Sequence, residues 1–149
     1  MKIINKYLNR EYKMIEKYEV GIVLIGAEVK SIRKGNIQFK DAYVRLMDHG
    51  AVLLNAEIPR YFFAQDKNYD PRRTRQLLLH QSELIRLKTK MAQGGTLTIV
   101  PVSCYNKGHL IKIEISLVKG RKTWERKKVE KDRDIKRQTE KEMKEYIKK

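Results

Sequence analysis

The chain has 149 residues, enough for one domain with a real hydrophobic core, and its 34 lysines and arginines against 18 acidic residues give a net charge of +16. A field of that size steers a protein toward polyanions, nucleic acid foremost, and makes its binding strongly salt-dependent. No segment approaches the roughly 18 consecutive apolar residues of a membrane-spanning helix, and the single cysteine, Cys104, excludes a disulfide framework and a cysteine-rich metal site.

Taken from the N-terminus, Met1 to Tyr7 lacks an apolar core of signal-peptide length, so the chain is expected to stay in the cytosol. Tyr12 to Ile25 has the length of one bent strand or two, with Gly21 as the expected bend or bulge. Ala27 to Lys34 predicts two helical turns ended by Gly35, with Val29 and Ile32 inward and Lys30, Arg33 and Lys34 outward. Ala42 to Met47 and Ala51 to Ile58 read as the arms of a hairpin around Asp48-His49-Gly50. Next comes Asn68 to His80, in which Pro71 fixes a turn that presents Arg72, Arg73 and Arg75 just before the apolar run Leu77, Leu78, Leu79. Guanidiniums are planar forks that engage phosphate oxygens in pairs, so this turn is a candidate phosphate grip; the alternative is a solvated basic loop.

Ser82 is placed to cap a second helix with Leu84, Leu87 and Met91 on its apolar stripe and Gly94-Gly95 at its end. Leu97 to Tyr105 is rich in strand formers, and Asn106-Lys107-Gly108 turns it into a strand where Ile111, Ile113, Ile115 and Leu117 alternate with Lys112, Glu114 and Ser116. Five or six short strands with glycine corners and two short helices predict a mainly β protein. A closed barrel of the oligonucleotide-binding type fits them best, because closure removes exposed sheet edges.

Residues 119–149 form a separate compositional zone, with 14 lysines and arginines against 7 acidic residues. On a helical projection Val129, Ile135, Met143, Tyr146 and Ile147 form a narrow apolar arc, interrupted by Lys128, Asp132, Lys136 and Thr139. Pairs such as Asp132 with Lys136 add only about 0.2–0.5 kcal/mol each, against about 1–2 kcal/mol per residue for ordering a backbone. The tail is therefore expected to be disordered when free and helical against a large anionic partner. The organisation expected is an RNA-binding barrel, residues 1–118, and a basic tail, residues 119–149.

Little in the chain suggests catalysis. His49, His80 and His109 are not spaced with cysteine or acidic residues as a metal site requires, and there is no glycine-rich phosphate loop. Glu19 and Glu28 become a carboxylate dyad only if the fold joins them; each is more often an ion-pair partner. By contrast Tyr7, Tyr12, Tyr18, Tyr43, Tyr61, Tyr69 and Tyr105 are interleaved with lysine and arginine, as stacking on bases beside a charged backbone needs, although half or more could be core aromatics. No zinc finger or helix-turn-helix pattern points to duplex DNA, which leaves RNA recognised by shape.

Several segments together resemble one family. They are Asn5-Lys6, Glu19 to Leu24 running into Gly26 to Gly35, Asp70 to His80, and Val118 to Lys122, in order and with compatible spacing over nearly the whole chain. The family is SmpB, the SsrA-binding proteins that partner transfer-messenger RNA in bacterial ribosome rescue. The resemblance implies an oligonucleotide-binding barrel with flanking helices, with no catalytic activity and no cofactor. It implies an adaptor that grips the tRNA-like domain of transfer-messenger RNA, reaches elongation factor Tu indirectly through that RNA, and acts on stalled ribosomes as a protein that is monomeric when free. RNA-contacting positions carried over from the family are Asn5, Tyr12, Glu19, Glu28, Lys30, Arg33, Leu78, His80 and Gly120, to which the residues themselves add Arg72, Arg73 and Arg75. In the tail, which the family places in the empty messenger channel, the candidates are Lys119, Arg121, Lys122, Trp124, Arg126, Lys127, Lys131, Arg133, Lys136 and Arg137. Two departures stand out: Asn106 replaces a frequent second aromatic, and Trp124-Glu125-Arg126-Lys127 replaces the usual aromatic or histidine followed by Asp-Lys-Arg. The rival readings are a general RNA-binding module on the same barrel, indifferent to RNA identity, and an RNA-acting enzyme.

Overall fold

A computed structural model of the chain describes residues 1–64, 67–120 and 123–148. In chain order the elements are β1 (Lys2–Ile4), α1 (Leu8–Glu11), β2 (Tyr12–Ile22), α2 (Gly26–Arg33), β3 (Tyr43–Met47), β4 (Gly50–Leu54), β5 (Arg75–Leu78), α3 (Gln81–Ala92), β6 (Leu97–Lys107), β7 (Leu110–Gly120) and α4 (Thr123–Lys148). Every strand pairing is antiparallel. The order β6-β3-β4-β5-β2-β7 returns to β6 through a β6–β7 ladder, so six strands close a barrel, and β1 adds a seventh beside the far end of β6.

The long β6–β7 hairpin forms because alternate residues face one way. Ile111, Ile113, Ile115 and Leu117 are all buried in the barrel, as their period of two predicts. Its turn is shorter than expected: Asn106 and Lys107 still pair with Ile111 and Leu110, leaving two turn residues, Gly108 and His109. Gly108 has φ +63°, the sign a two-residue hairpin turn needs at its first position. The other face of this hairpin is also covered. Val100, Val102 and Val118 pack with Leu8 of α1, so Val118 is buried although it lies on the face opposite the barrel interior.

The bend in β2 lies between Met14 and Glu16, where its register against β7 slips, and not at Gly21 as expected. Gly21 serves close approach instead: it pairs with Leu78, and a Cβ added there would sit 3.3 Å from the Leu78 Cβ. Helix α2 follows the predicted pattern, with Ile32 fully buried and Val29 packed on the core. Helix α3 starts one residue before Ser82, and its cap is Glu83 reaching back to accept the His80 backbone N–H at 3.0 Å. Leu84 and Leu87 are buried and Met91 packs on the core, while Gly94 and Gly95 take positive φ just beyond the helix. Glu16 of β2 ties this helix to the barrel through Lys90 and through Arg86 at 2.8 Å.

The tail takes the helical form expected of it against a partner, over Thr123–Lys148. No glycine or proline interrupts residues 121–149, and most positions are strong helix formers. α4 lies against α1, and its stripe is not sunk into the barrel: Ile135 and Met143 are 55% and 60% exposed. None of the helices is long and apolar enough among the described residues to cross a membrane.

Candidate nucleic-acid interface

The arginine turn is not the open phosphate grip that its sequence suggests. Arg75 is the first residue of β5 and points into the protein, fully buried, where its Nε donates to Glu28 Oε2 at 2.7 Å and its Nη2 lies 2.6 Å from the same oxygen in an ion pair. Its remaining donors reach the carbonyls of Ala56 at 2.7 Å and Pro71 at 2.9 Å. Glu28, also fully buried, accepts on Oε1 from the Ile25 backbone N–H at 2.9 Å and from Arg73 at 2.6 Å. Burial alone would raise the Glu28 carboxyl, but the hydrogen bonds from Arg73, Ile25 and Arg75 prevail and hold it below the usual carboxylate range.

The knot leaves the Glu28 and Arg75 side chains with no exposed surface in this structure, unlike the exposed contacts expected of them, and it turns Arg73 toward Glu28. Of the three guanidiniums Arg72 alone stays mostly free, 3.8 Å from the Glu57 carboxylate. The turn owes its shape to Asp70 as well as to Pro71: the Asp70 carboxylate accepts the Arg72 N–H at 2.9 Å. What the knot accomplishes is positional. It joins the first turn of α2 to the start of β5, which fixes the outer face of α2 where Lys30 and Arg33 stand exposed. Leu78, expected within a buried run, points outward at 55% exposure, with the exposed His80 two residues further on.

A second group gathers beside α1. Tyr12 is half-buried against Leu8, Val100, Val102 and Val118, and pairs across the sheet with Gly120. Asn5 is only 8% exposed, and its side chain is occupied within the chain: Nδ2 donates to the Pro101 carbonyl at 2.9 Å while Oδ1 accepts from the Tyr7 N–H at 3.2 Å. It therefore pins the N-terminal segment to the bulge between Pro101 and Ser103. Asn5, Tyr7, Tyr12 and Tyr43 line one cleft of about 230 Å³ with Glu11 and Asp41.

Glu19 stands apart from Glu28 and shares no partner with it, so the two do not form a dyad. It is exposed on β2, accepting from the Tyr105 hydroxyl and from Lys107 Nζ at 2.9 Å. The Tyr105 bond, with Lys107 second, lowers the Glu19 carboxyl. Burial, reinforced by Glu19, pushes the Tyr105 phenol up to about 12. The basic partner that offsets the repulsion of this carboxylate from RNA is Lys107, 88 residues away in the sequence. Cys104, read as a buried thiol, is one: it is fully buried and burial pushes it up to about 12.

In the tail Lys119 and Gly120 end β7 exposed, and Lys127, Lys131, Arg133, Lys136 and Arg137 are exposed along α4. Arg121 and Lys122 lie outside the described residues, and for Trp124 and Arg126 only the helical backbone is described. Among the described residues no cluster of three histidines, cysteines or acidic side chains is arranged to hold a metal ion.

Barrel, cations, half-exposed tyrosines and basic helix together define a small basic β-barrel protein with a charged helical extension. Comparison with known proteins places it further. The family model described as SmpB protein matches residues 2–145. The SsrA-binding protein of Persephonella marina is 43% identical over 144 residues, covering 97% of this chain and 94% of the relative. That of Sulfurihydrogenibium sp. is 44% identical with the same coverage, and that of Aquifex aeolicus is 43% identical over 141 residues, covering 94% and 89%. A chain of a solved structure described as "tmRNA-SmpB: a journey to the center of the bacterial ribosome" superposes with a TM-score of 0.68 at 40% identity, covering 82% of this chain and 85% of that one. The chain belongs to the SmpB family.

Proposed function

We propose that this protein binds the tRNA-like domain of transfer-messenger RNA and delivers it to stalled ribosomes for rescue and peptide tagging. The observation that carries the reading is the agreement, over four-fifths of the chain, with a chain of the structure described as "tmRNA-SmpB: a journey to the center of the bacterial ribosome". The +16 charge supports binding to a polyanion.

In this reading the half-buried Tyr12 stacks on an unpaired base, the exposed Lys30, Arg33 and Arg72 neutralise phosphates, and Leu78, His80 and Gly120 complete the contact surface. Glu19 acts with Tyr105 and Lys107 as a unit that accepts from base amines. Asn5, Glu28, Arg73 and Arg75 hold that surface in shape from beneath. The barrel, residues 1–118, binds the RNA as a monomer in the cytosol, with elongation factor Tu engaged through the RNA. The tail enters the vacant messenger channel, where Arg121, Lys122, Trp124 and the cations of α4 meet ribosomal RNA.

Filter binding at about 150 mM salt, where weak electrostatic binding is partly screened, tests the first half of this. The tRNA-like domain is compared with an elongator tRNA and a size-matched RNA. Strong preference for the tRNA-like domain is expected; equal binding to all three overturns the adaptor reading in favour of a general RNA-binding module.

A further inference from the structure

Tyr61, Phe62 and Phe63 form a feature that the proposed grip does not use. The Ala64 N–H donates to the Tyr61 carbonyl at 2.9 Å, which makes residues 61–64 a tight turn with Phe62 and Phe63 at its two central positions. Such positions favour glycine, proline, asparagine, aspartate and serine. Here they carry the two most exposed large apolar side chains of the described residues, 84% and 74% accessible. The rings are ordered against each other, Phe62 and Phe63 edge to face at 5.1 Å between centroids and Tyr61 and Phe63 at 5.6 Å.

The turn stands on a fixed base. Ile58 is fully buried, its N–H donates to the Pro71 carbonyl at 2.9 Å, and its own carbonyl accepts the Tyr69 hydroxyl at 2.5 Å. Ser31 of α2 donates to the Pro59 carbonyl at 2.6 Å. The turn is thus bonded to the same helix that presents Lys30 and Arg33, and Lys30 Nζ lies 5.7 Å from the Tyr61 ring centroid. Arg60 is exposed immediately before it. Aromatic faces bordered by cations, with no acidic residue between positions 58 and 64, are complementary to a stacked base with its phosphate.

We propose that Phe62 and Phe63 form a second stacking platform, which receives one or two unpaired bases of the bound RNA while Arg60 and Lys30 hold the flanking phosphates. This rests on the RNA-binding function proposed above and adds a site to it. A protein partner or a lipid surface would also cover exposed phenylalanines, but the bordering cations and the link to α2 favour RNA.

The test compares the full-length protein with Phe62→Ala/Phe63→Ala, with Phe62→Tyr/Phe63→Tyr, and with Arg60→Ala, binding the tRNA-like domain of transfer-messenger RNA over a salt series. The double alanine variant is expected to bind at least about fivefold more weakly, the tyrosine variant to retain affinity, and both to melt like the parent because the rings are exposed. Stacking releases no counterions, so the alanine variant keeps the slope of log K against log salt, whereas Arg60→Ala makes it shallower by about 0.7–0.9. Unchanged affinity in the alanine variant overturns the platform, as does loss of binding to anionic phosphatidylserine vesicles with RNA affinity intact. If the parent itself does not prefer the tRNA-like domain, the functional reading fails first, and the two failures are told apart.

Discussion

Replacing Glu28 by glutamine should destabilise the protein by about 3–5 kcal/mol. The side chain keeps its shape but has one acceptor oxygen where there were two, and every neighbour is a donor: the Ile25 N–H and Arg73 on one side, two Arg75 nitrogens on the other. Whichever way the amide is turned, its NH₂ faces two donors, and either the Ile25 and Arg73 bonds or the Arg75 bond and ion pair are lost. Charge-assisted bonds of this kind contribute about 1.5–3 kcal/mol each, and breaking a buried ion pair from one side costs about 3–5 kcal/mol. Because Arg73 is 37% exposed and Arg75 is not, the amide oxygen should stay with Arg75, which holds the loss toward the lower end. Thermal melting followed by circular dichroism at pH 7 should show a fall of about 10–20 °C. The pH dependence adds a second readout. A carboxyl depressed on folding contributes stability in full above its unfolded value, about 4.3, and loses that contribution as pH falls through its folded value. The gap between parent and variant should therefore narrow below about pH 4. A loss under about 1 kcal/mol, or a gap that stays constant into acid, would refute the reasoning.

Three further outcomes are expected. Tyr12→Ala should weaken binding of the tRNA-like domain by about 1–3 kcal/mol in filter binding, measured well below the variant's melting temperature because the ring also packs on Val100 and Val118. Glu19→Gln should lower the Tyr105 phenol from about 12 part of the way toward 10, as burial, the larger cause, remains; ultraviolet titration of tyrosinate reads this directly, and an unmoved titration would contradict the pairing. Stopping the chain after Gly120, which preserves its pairing with Tyr12, should leave RNA affinity within about threefold while abolishing tagging on stalled ribosomes; loss of RNA affinity instead would make the tail part of the grip.

How much of this was legible in the sequence depended on whether the signal was local. The β7 alternation, the α2 and α3 stripes and both hairpins rest on residues within a turn or two of each other, and they appear nearly as read. What lies outside that range was misplaced. An arginine next to leucines looks like a surface charge at the lip of a strand; Arg75 instead occupies a core position of β5, because Glu28, 47 residues earlier, neutralises it. The burial of Val118 could not be read from alternation, since the cover comes from Leu8 at the other end of the chain. Asn5 was singled out only through family resemblance, and its bond to Pro101 spans 96 residues. Separation in sequence also hides the purpose of Gly21, which looked like a bend and is a point of contact with Leu78.

The strand ladders are unevenly distributed around the barrel, and that decides how it comes apart. β1, β6, β7 and β2 are laced along nearly their whole lengths, and β3, β4 and β5 form a second laced group. Between the groups, β3 meets β6 at the single pair Val44–Ile99, and β5 meets β2 at two pairs, Gly21–Leu78 and Ile22–Leu77. The barrel is therefore two curved staves held at their rims mainly by the shared interior of Val20, Leu53, Leu77, Ile99 and Ile113. Backbone amides along the two rims should exchange with deuterium ahead of those in the β6–β7 ladder, and the smaller stave should open as one unit. Because the arginine knot hangs on that stave at Arg75 and on α2 at Glu28, each such opening also unfastens the helix that carries Lys30 and Arg33.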